Sequence, residues 1–244
     1  MEKNMNLKIL YEDNHIIVVV KPAGIPVQQD KTNDIDMLTI IKGYLKEKYN
    51  KKGNVYLGLL HRLDRMVSGV MVFAKTSKAA SRISNYIRNK DVKKRYLAIV
   101  NSKLKVSDQP VLICNYLVKN ERLNMSKVVT EDTKNAKYSE LEYKVLKNIK
   151  YNGKDYSIVD IDLHTGRHHQ IRVQFSNINC PLYGDIKYGQ KVNKVGQNLA
   201  LFSYYLSFYH PTKDEYLEFS IMPEDLKDDK LYKFDKIWEE TYGL

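Results

Sequence analysis

The stretch HRLDRMVSGVMVFAK, residues 61–75, places one carboxylate, Asp64, between Arg62 and Arg65, ahead of a Ser68-Gly69 turn and an apolar run. Two guanidinium groups within two residues favour the charged form of that acid. An ionised carboxylate suits a nucleophile or a base and is wrong for a general acid. On an extended chain Arg62 and Asp64 share a face while Arg65 points away. A surface ion pair at a strand start would explain the same residues, so the stretch alone leaves both readings open.

A second cluster is LHTGRHHQIRVQF, residues 163–175. Thr165 is a candidate helix cap, and Gly166 would let the chain enter a helix near another backbone. Arg167, His168, His169 and Arg172 then crowd the first turns, where helix N–H groups also favour anions. Such a cationic corner suits phosphate. The spacing of His164 and His168 imitates a metal pair, but no third ligand is set up nearby, so no metal is expected. A third cluster, KDVKKRYLAIV at 90–100, puts Lys93, Lys94 and Arg95 before Tyr96. Cations beside an aromatic ring are the composition of an RNA groove, where the ring stacks a base. A charged turn ahead of a core tyrosine has the same composition.

The elements that must hold these residues follow from periodicity. Residues 7–11 and 15–20 read as strands, and KPAGIPV as a fixed loop. Residues 36–49 carry apolar side chains at 37, 38, 41, 44 and 45, which predicts a helix with one buried face. GVMVFAK is a buried strand, and Ser77 can cap a helix from 78 to about 89 with Ile83, Tyr86 and Ile87 inward. Strands are expected at 93–100, 110–118, 137–148 and 155–163, then a helix after Thr165 and Gly166. Two late strands flank a turn at 211–214. Residues 224–244 read as a charged helical tail with Leu231, Phe234, Ile237 and Trp238 as its apolar stripe. Strands in runs favour an α+β fold with a mixed, mostly antiparallel sheet.

Composition narrows the classes. The 244 residues suffice for a real core, and 43% hydrophobic with 28% charged residues describes a globular chain. The apolar runs are too short to span a bilayer, and the first residues lack a signal-peptide stretch, so no membrane role and a cytoplasmic location are expected. Cys114 and Cys180 have no partner spacing and read as reduced thiols. With 40 Lys and Arg against 29 Asp and Glu, the formal charge is +11, which favours polyanionic partners, nucleic acid first. There is no GxGxxG or Walker loop, so no nucleotide cofactor is expected.

Taken in order, ILYEDNHIIVVVKPAGIPV, HRLDRMVSGVMVFAK, KRYLAIV, LHTGRHHQIRVQF, CPLYGDIKYG and LSFYHP resemble the successive blocks of the RluA/RluC/RluD type of RNA pseudouridine synthase. The resemblance runs from about Leu7 to Pro223 and is weak over 101–155. It implies a pseudouridine synthase catalytic fold with a central active-site cleft, one catalytic domain over 1–244, and no S4 domain ahead of it. It also implies isomerisation of uridines in rRNA or tRNA with no cofactor and no metal; a monomer is the simplest expectation.

The resemblance assigns roles residue by residue. Asp64 would be the essential carboxylate, Arg172 the arginine that pairs with it, and Tyr96 the ring that packs on the target uracil. Arg62 would displace the target base and Ile171 line its pocket. Lys93, Lys94, Arg167 and His168 are candidates for RNA phosphate on charge grounds. The chain departs from the family at Met66-Val67, where Asp or Asn followed by Thr is usual. It departs again at His168 for Thr, Gln174 for His and Ser203 for Ala. Two alternatives are a non-catalytic RNA-binding or assembly factor, and a glycoside hydrolase, which would need a second acid near Asp64.

Overall fold

Unbroken apolar runs make strands buried on both faces. In the computed structural model of the chain, which describes residues 7–242, β2 (Ile16–Lys21) and β4 (Ser68–Ala74) are buried along their whole length. β1 (Ile9–Glu12) pairs antiparallel with β2, and β2 with β4, while the short β3 (Gly58–Leu59) joins the end of β4. α1 (Met37–Lys48) lies where the spacing put it, with Met37, Ile41 and Leu45 inward. Its cap is Asp36, whose carboxylate accepts from the Thr39 N–H at 2.9 Å. α2 (Ser77–Arg88) is capped by Thr76 rather than Ser77, because the Thr76 hydroxyl accepts from the Ala79 N–H at 3.2 Å.

The chain divides into two compact units. The first runs to Val92 and takes in Tyr205–Ile221 and Asp229–Lys233; the second comprises Lys93–Tyr204, Met222–Asp228 and the residues from Phe234 on. Besides the elements above, the first holds a late antiparallel hairpin, in which Tyr205 to Tyr209 of β10 (Leu201–Tyr209) face β11 (Tyr216–Ser220).

The second unit is an antiparallel sheet in the order β5 (Lys93–Val100), β9 (Lys154–Leu163), β8 (Lys137–Tyr151), β6 (Val111–Asn120), β7 (Met125–Val129). The β8–β9 pair reaches further than its apolar pattern, because Asn152 and Gly153, both at positive φ, close a tight hairpin. β7 was not expected, since it lies in a polar stretch and takes its place by pairing with β6. α3 (Gln170–Asn177) begins later than Thr165. All these pairings are antiparallel, as expected of the α+β class.

The expected helical tail is mostly not helical. Only a 3-10 turn at Pro223–Leu226 and α4 (Lys236–Tyr242) form, and Gly243 and Leu244 lie outside the described residues. Between them the Asp229 carboxylate accepts from the Leu231 N–H at 3.0 Å, and the Tyr232 hydroxyl donates to the Val20 carbonyl at 2.7 Å. These side-chain bonds hold a turn against helix formation. No helix among the described residues is long and apolar enough to cross a membrane.

One ionic knot fastens the first unit. The Glu12 carboxylate accepts from Lys48 and Lys75 at 2.7 Å each, from Tyr49 at 2.7 Å and from Tyr44 at 2.9 Å. Burial by itself would raise its pKa, but these donors outweigh it and bring it from 4.5 to about 2. Such a group stabilises the fold above its unfolded value and stops doing so as pH falls through its folded value. Glu12→Gln should therefore cost about 1–3 kcal/mol at neutral pH. It should also flatten the acid loss of stability between pH 4.5 and about 2. Urea denaturation at stepped pH measures both effects; an unchanged slope in that window would count against the knot.

Candidate active site

Asp64 stands in the irregular segment that leads into β4, half-buried, and its carbonyl accepts from the Val67 N–H at 3.0 Å. That turn buries Val67 and leaves Met66 43% exposed, so the two departures from the family differ in kind. One fills the core of the turn and the other faces solvent. Arg62 is exposed.

Arg65 does turn away, into the preceding loop. Its Nε donates to the Gly24 carbonyl at 2.8 Å, and its guanidinium meets Thr32 at 3.1 Å and the Asp34 carboxylate at 2.5 Å. It is a loop staple. The second cation near Asp64 is instead Lys21, which composition did not single out. Lys21 is fully buried at the end of β2 and donates to the carbonyls of Pro22 at 2.8 Å, Ile25 at 2.8 Å and Arg65 at 2.9 Å. Burial pushes its pKa down to about 7, with the Asp64 charge opposing that push and Arg65 adding to it. Three carbonyls match three N–H bonds, which only the ammonium form supplies. Gly24, at φ 86°, donates its N–H to the same Arg65 carbonyl at 2.8 Å. The KPAG turn thus grips the peptide that follows Asp64.

In the second unit, Arg172 is buried on α3 beside Ile171. Its Nε and Nη2 each donate to Asp185 at 2.8 Å, a bidentate pair with a carboxylate that is itself 1% exposed. The guanidinium also lies 5.3 Å from the centre of the Tyr188 ring. The Tyr188 hydroxyl accepts from the Ser126 N–H at 2.7 Å and bonds His169 Nδ1 at 2.9 Å. His169 sits at φ 53° and stacks on His168 with ring centres 3.7 Å apart. Burial, then the charge of Arg172, push the His169 pKa down to about 2, so this imidazole is neutral. His168 bonds the Ser126 hydroxyl at 2.9 Å, whereas His164 bonds Glu140 at 2.8 Å. The apparent metal pair therefore serves two separate partners.

Two local expectations are corrected. Thr165 does not cap α3. Its hydroxyl donates to the Gln170 side chain at 2.7 Å and accepts from the Glu140 N–H at 2.8 Å, which fastens the loop to β8. The helix starts only after His169, whose left-handed backbone ends the loop. Nor does Gly166 answer to a neighbouring backbone, because the nearest atom to a Cβ placed there is Lys94 Nζ, at 3.7 Å. Lys94 is largely withdrawn beside Asp162, and burial lowers its pKa, so it is a weaker phosphate candidate than the exposed Lys93 and Arg167. Arg167 also donates to the Tyr138 carbonyl at 2.9 Å. Tyr96 is buried in β5 opposite Ile161.

Gln174, which replaces a usual His, is fully buried and donates to Asn115 at 3.0 Å and to the Ile113 carbonyl at 3.3 Å. Ser203 is buried in β10. Asp185 and Tyr188 were missed as individual residues. Their signal was an acid and a ring set between Gly184 and Gly189 in CPLYGDIKYG.

The profile of a family described as RNA pseudouridylate synthase matches residues 15–177. The chain is 33% identical over 226 residues to an uncharacterized RNA pseudouridine synthase of Bacillus subtilis strain 168, covering 91% of this chain and 71% of that protein. It is 31% identical over 219 residues to the ribosomal large subunit pseudouridine synthase C of Buchnera aphidicola, covering 85% of this chain and 64% of that protein. In fold it is similar to human RNA pseudouridylate synthase domain containing 1, with a TM-score of 0.72, 24% identity, and coverage of 91% of this chain and 85% of that one.

Two variants check the architecture. A Cβ on Gly184 would lie 2.0 Å from the Asn198 carbonyl oxygen, at φ 73°. Gly184→Ala should destabilise by about 2–4 kcal/mol, read as a lower melting temperature. Lys21→Met removes the Nζ donor from three carbonyls, of which only that of Arg65 keeps the Gly24 N–H, and should cost at least about 2 kcal/mol in urea unfolding. A stability loss within error in either case would contradict the contact concerned.

Proposed function

From the premise that the chain belongs to the RNA pseudouridylate synthase family and is an isomerase, we propose that it converts uridines of large-subunit ribosomal RNA to pseudouridine, with Asp64 as the essential carboxylate. The observation that carries this reading is the family match over 15–177, which includes Asp64, Tyr96 and Arg172. The relative named for the ribosomal large subunit supports that RNA over tRNA. The N1–C1′ bond of the uridine breaks, the uracil turns, and a C5–C1′ bond forms. C5 gives up a proton and N1 takes one, so no redox partner is needed.

Each residue has one task in this scheme. Asp64, ionised, acts on the sugar or the base. Arg172 supplies a fixed positive charge for that carboxylate, Tyr96 packs on the uracil, and Ile171 lines its pocket. Arg62, exposed beside the acid, displaces the base from its stack. Flipping costs a few kcal/mol and is cheapest at unpaired uridines. Lys93, Arg167 and His168, with a smaller share for Lys94, hold RNA phosphates. The protein acts in the cytoplasm, as a monomer.

The test uses in vitro transcripts of large-subunit ribosomal RNA and of tRNAs, with uridine tritiated at C5. Wild type should release tritium from the ribosomal transcript, and Asp64→Ala should do so at least about a thousandfold more slowly. Full activity in the variant would sink the assignment of Asp64. Release from tRNA alone would sink the choice of substrate. Binding of both RNAs without release would leave a binding or assembly role.

A further inference from the structure

The role given to Arg172 uses its charge but says nothing of what aims it. We propose that Asp185, with the ring of Tyr188, is a positioning residue for the isomerisation, setting the angle and place at which Arg172 presents its guanidinium. The inference rests on the reading that Arg172 serves the reacting carboxylate.

Four observations carry it. First, the Arg172–Asp185 contact is bidentate, with both N–H···O distances at 2.8 Å, so it fixes the guanidinium plane as well as its distance. Second, Asp185 is itself immobilised: its Oδ1 also accepts from the Lys187 N–H at 3.1 Å and the Tyr188 N–H at 3.2 Å. Third, the loop that holds it has no slack. Gly184 leaves no room for a side chain against Asn198, and the Gly189 N–H returns to the Asp185 carbonyl at 2.8 Å. Fourth, the Tyr188 ring limits the guanidinium from one face, and its hydroxyl is pinned by Ser126 and His169.

A neutral His169 beside Arg172 adds no competing positive charge. Bidentate geometry, a caged acid and a ring face together amount to more than neutralising a buried cation. They are what preorganises a charge that must meet a developing transition state.

The test separates aim from stability, using the full chain and the tritiated ribosomal transcript. Each variant is assayed well below its own melting temperature, with RNA affinity measured separately. Asp185→Asn keeps the shape and removes the charge. It should lower the single-turnover rate about 10- to 100-fold while RNA affinity stays within about 3-fold. Tyr188→Phe keeps the ring but loses its hydroxyl anchor and should be slowed less than Tyr188→Leu, which should lose about 10-fold. The Tyr188 pair gives the answer if Asp185→Asn does not fold.

An Asp185→Asn enzyme that melts lower but turns over at the wild-type rate would overturn the proposal, and so would equal rates for the two Tyr188 variants. Arg172→Gln, which removes the charge, distinguishes the underlying reading. If it retains the wild-type rate, the role of Arg172 is wrong. If it is slow while Asp185→Asn is fast, only the role of Asp185 is wrong.

Discussion

A guanidinium 8% exposed to solvent has to be paired, and the Arg172–Asp185 bond is the constraint around which the second unit's irregular parts are arranged. Removing one member of such a pair leaves a buried charge, a loss of several kcal/mol. The helix that carries Arg172 must therefore start where the side chain can reach the acid. It starts after His169, whose left-handed backbone allows an abrupt turn from loop to helix. The Gln170 side chain ties the loop before the helix to β8, accepting from the Arg167 N–H at 3.0 Å and donating to the Glu140 carbonyl at 3.1 Å. On the other side, Gly184 lets the loop close on Asn198 so that Asp185 faces inward.

The first unit answers the same requirement with backbone instead of a carboxylate. Lys21 is as buried as any residue in the chain, and three peptide carbonyls satisfy it. Because one of them belongs to Arg65, the ammonium fixes the peptide immediately after Asp64. Arg65 returns the grip by donating to the Gly24 carbonyl. The chain that follows the acid of the HRLDR stretch is thus held by main-chain geometry. The arginine that looked like its charge partner spends its own charge on Asp34. A side chain two positions away in sequence need not be a partner in space.

Much of this was legible from the residues. Runs such as IIVVV and VMVFA could only be buried strands, and the 3.6 spacing from Met37 to Leu45 could only be a helix face. The motif order placed Asp64, Tyr96 and Arg172 in their blocks. What could not be read has a common cause: contacts distant in sequence. Thr165 looks like a helix cap until Glu140 and Gln170 take its hydroxyl. The tail from 224 has helical spacing, yet Tyr232 is drawn to the Val20 carbonyl and the helix breaks. The strand at Met125 is invisible in a polar stretch because β6, not its own pattern, makes it a strand.

The same distinction changes what a net charge of +11 means for an RNA enzyme. Counterion release on binding RNA needs cations that can reach phosphate. Lys21 cannot, being fully buried, and Lys75 is committed to Glu12 with a side chain only 8% exposed. Lys94 is largely withdrawn beside Asp162, and Arg172 is held in a bidentate pair by Asp185. Three of these four cations lie within the cationic clusters of the sequence, and each of the four faces partners inside the fold. The cations that stay exposed in those clusters include Arg62, Lys93 and Arg167. Burial rather than sequence position decides which cations remain available to a polyanion.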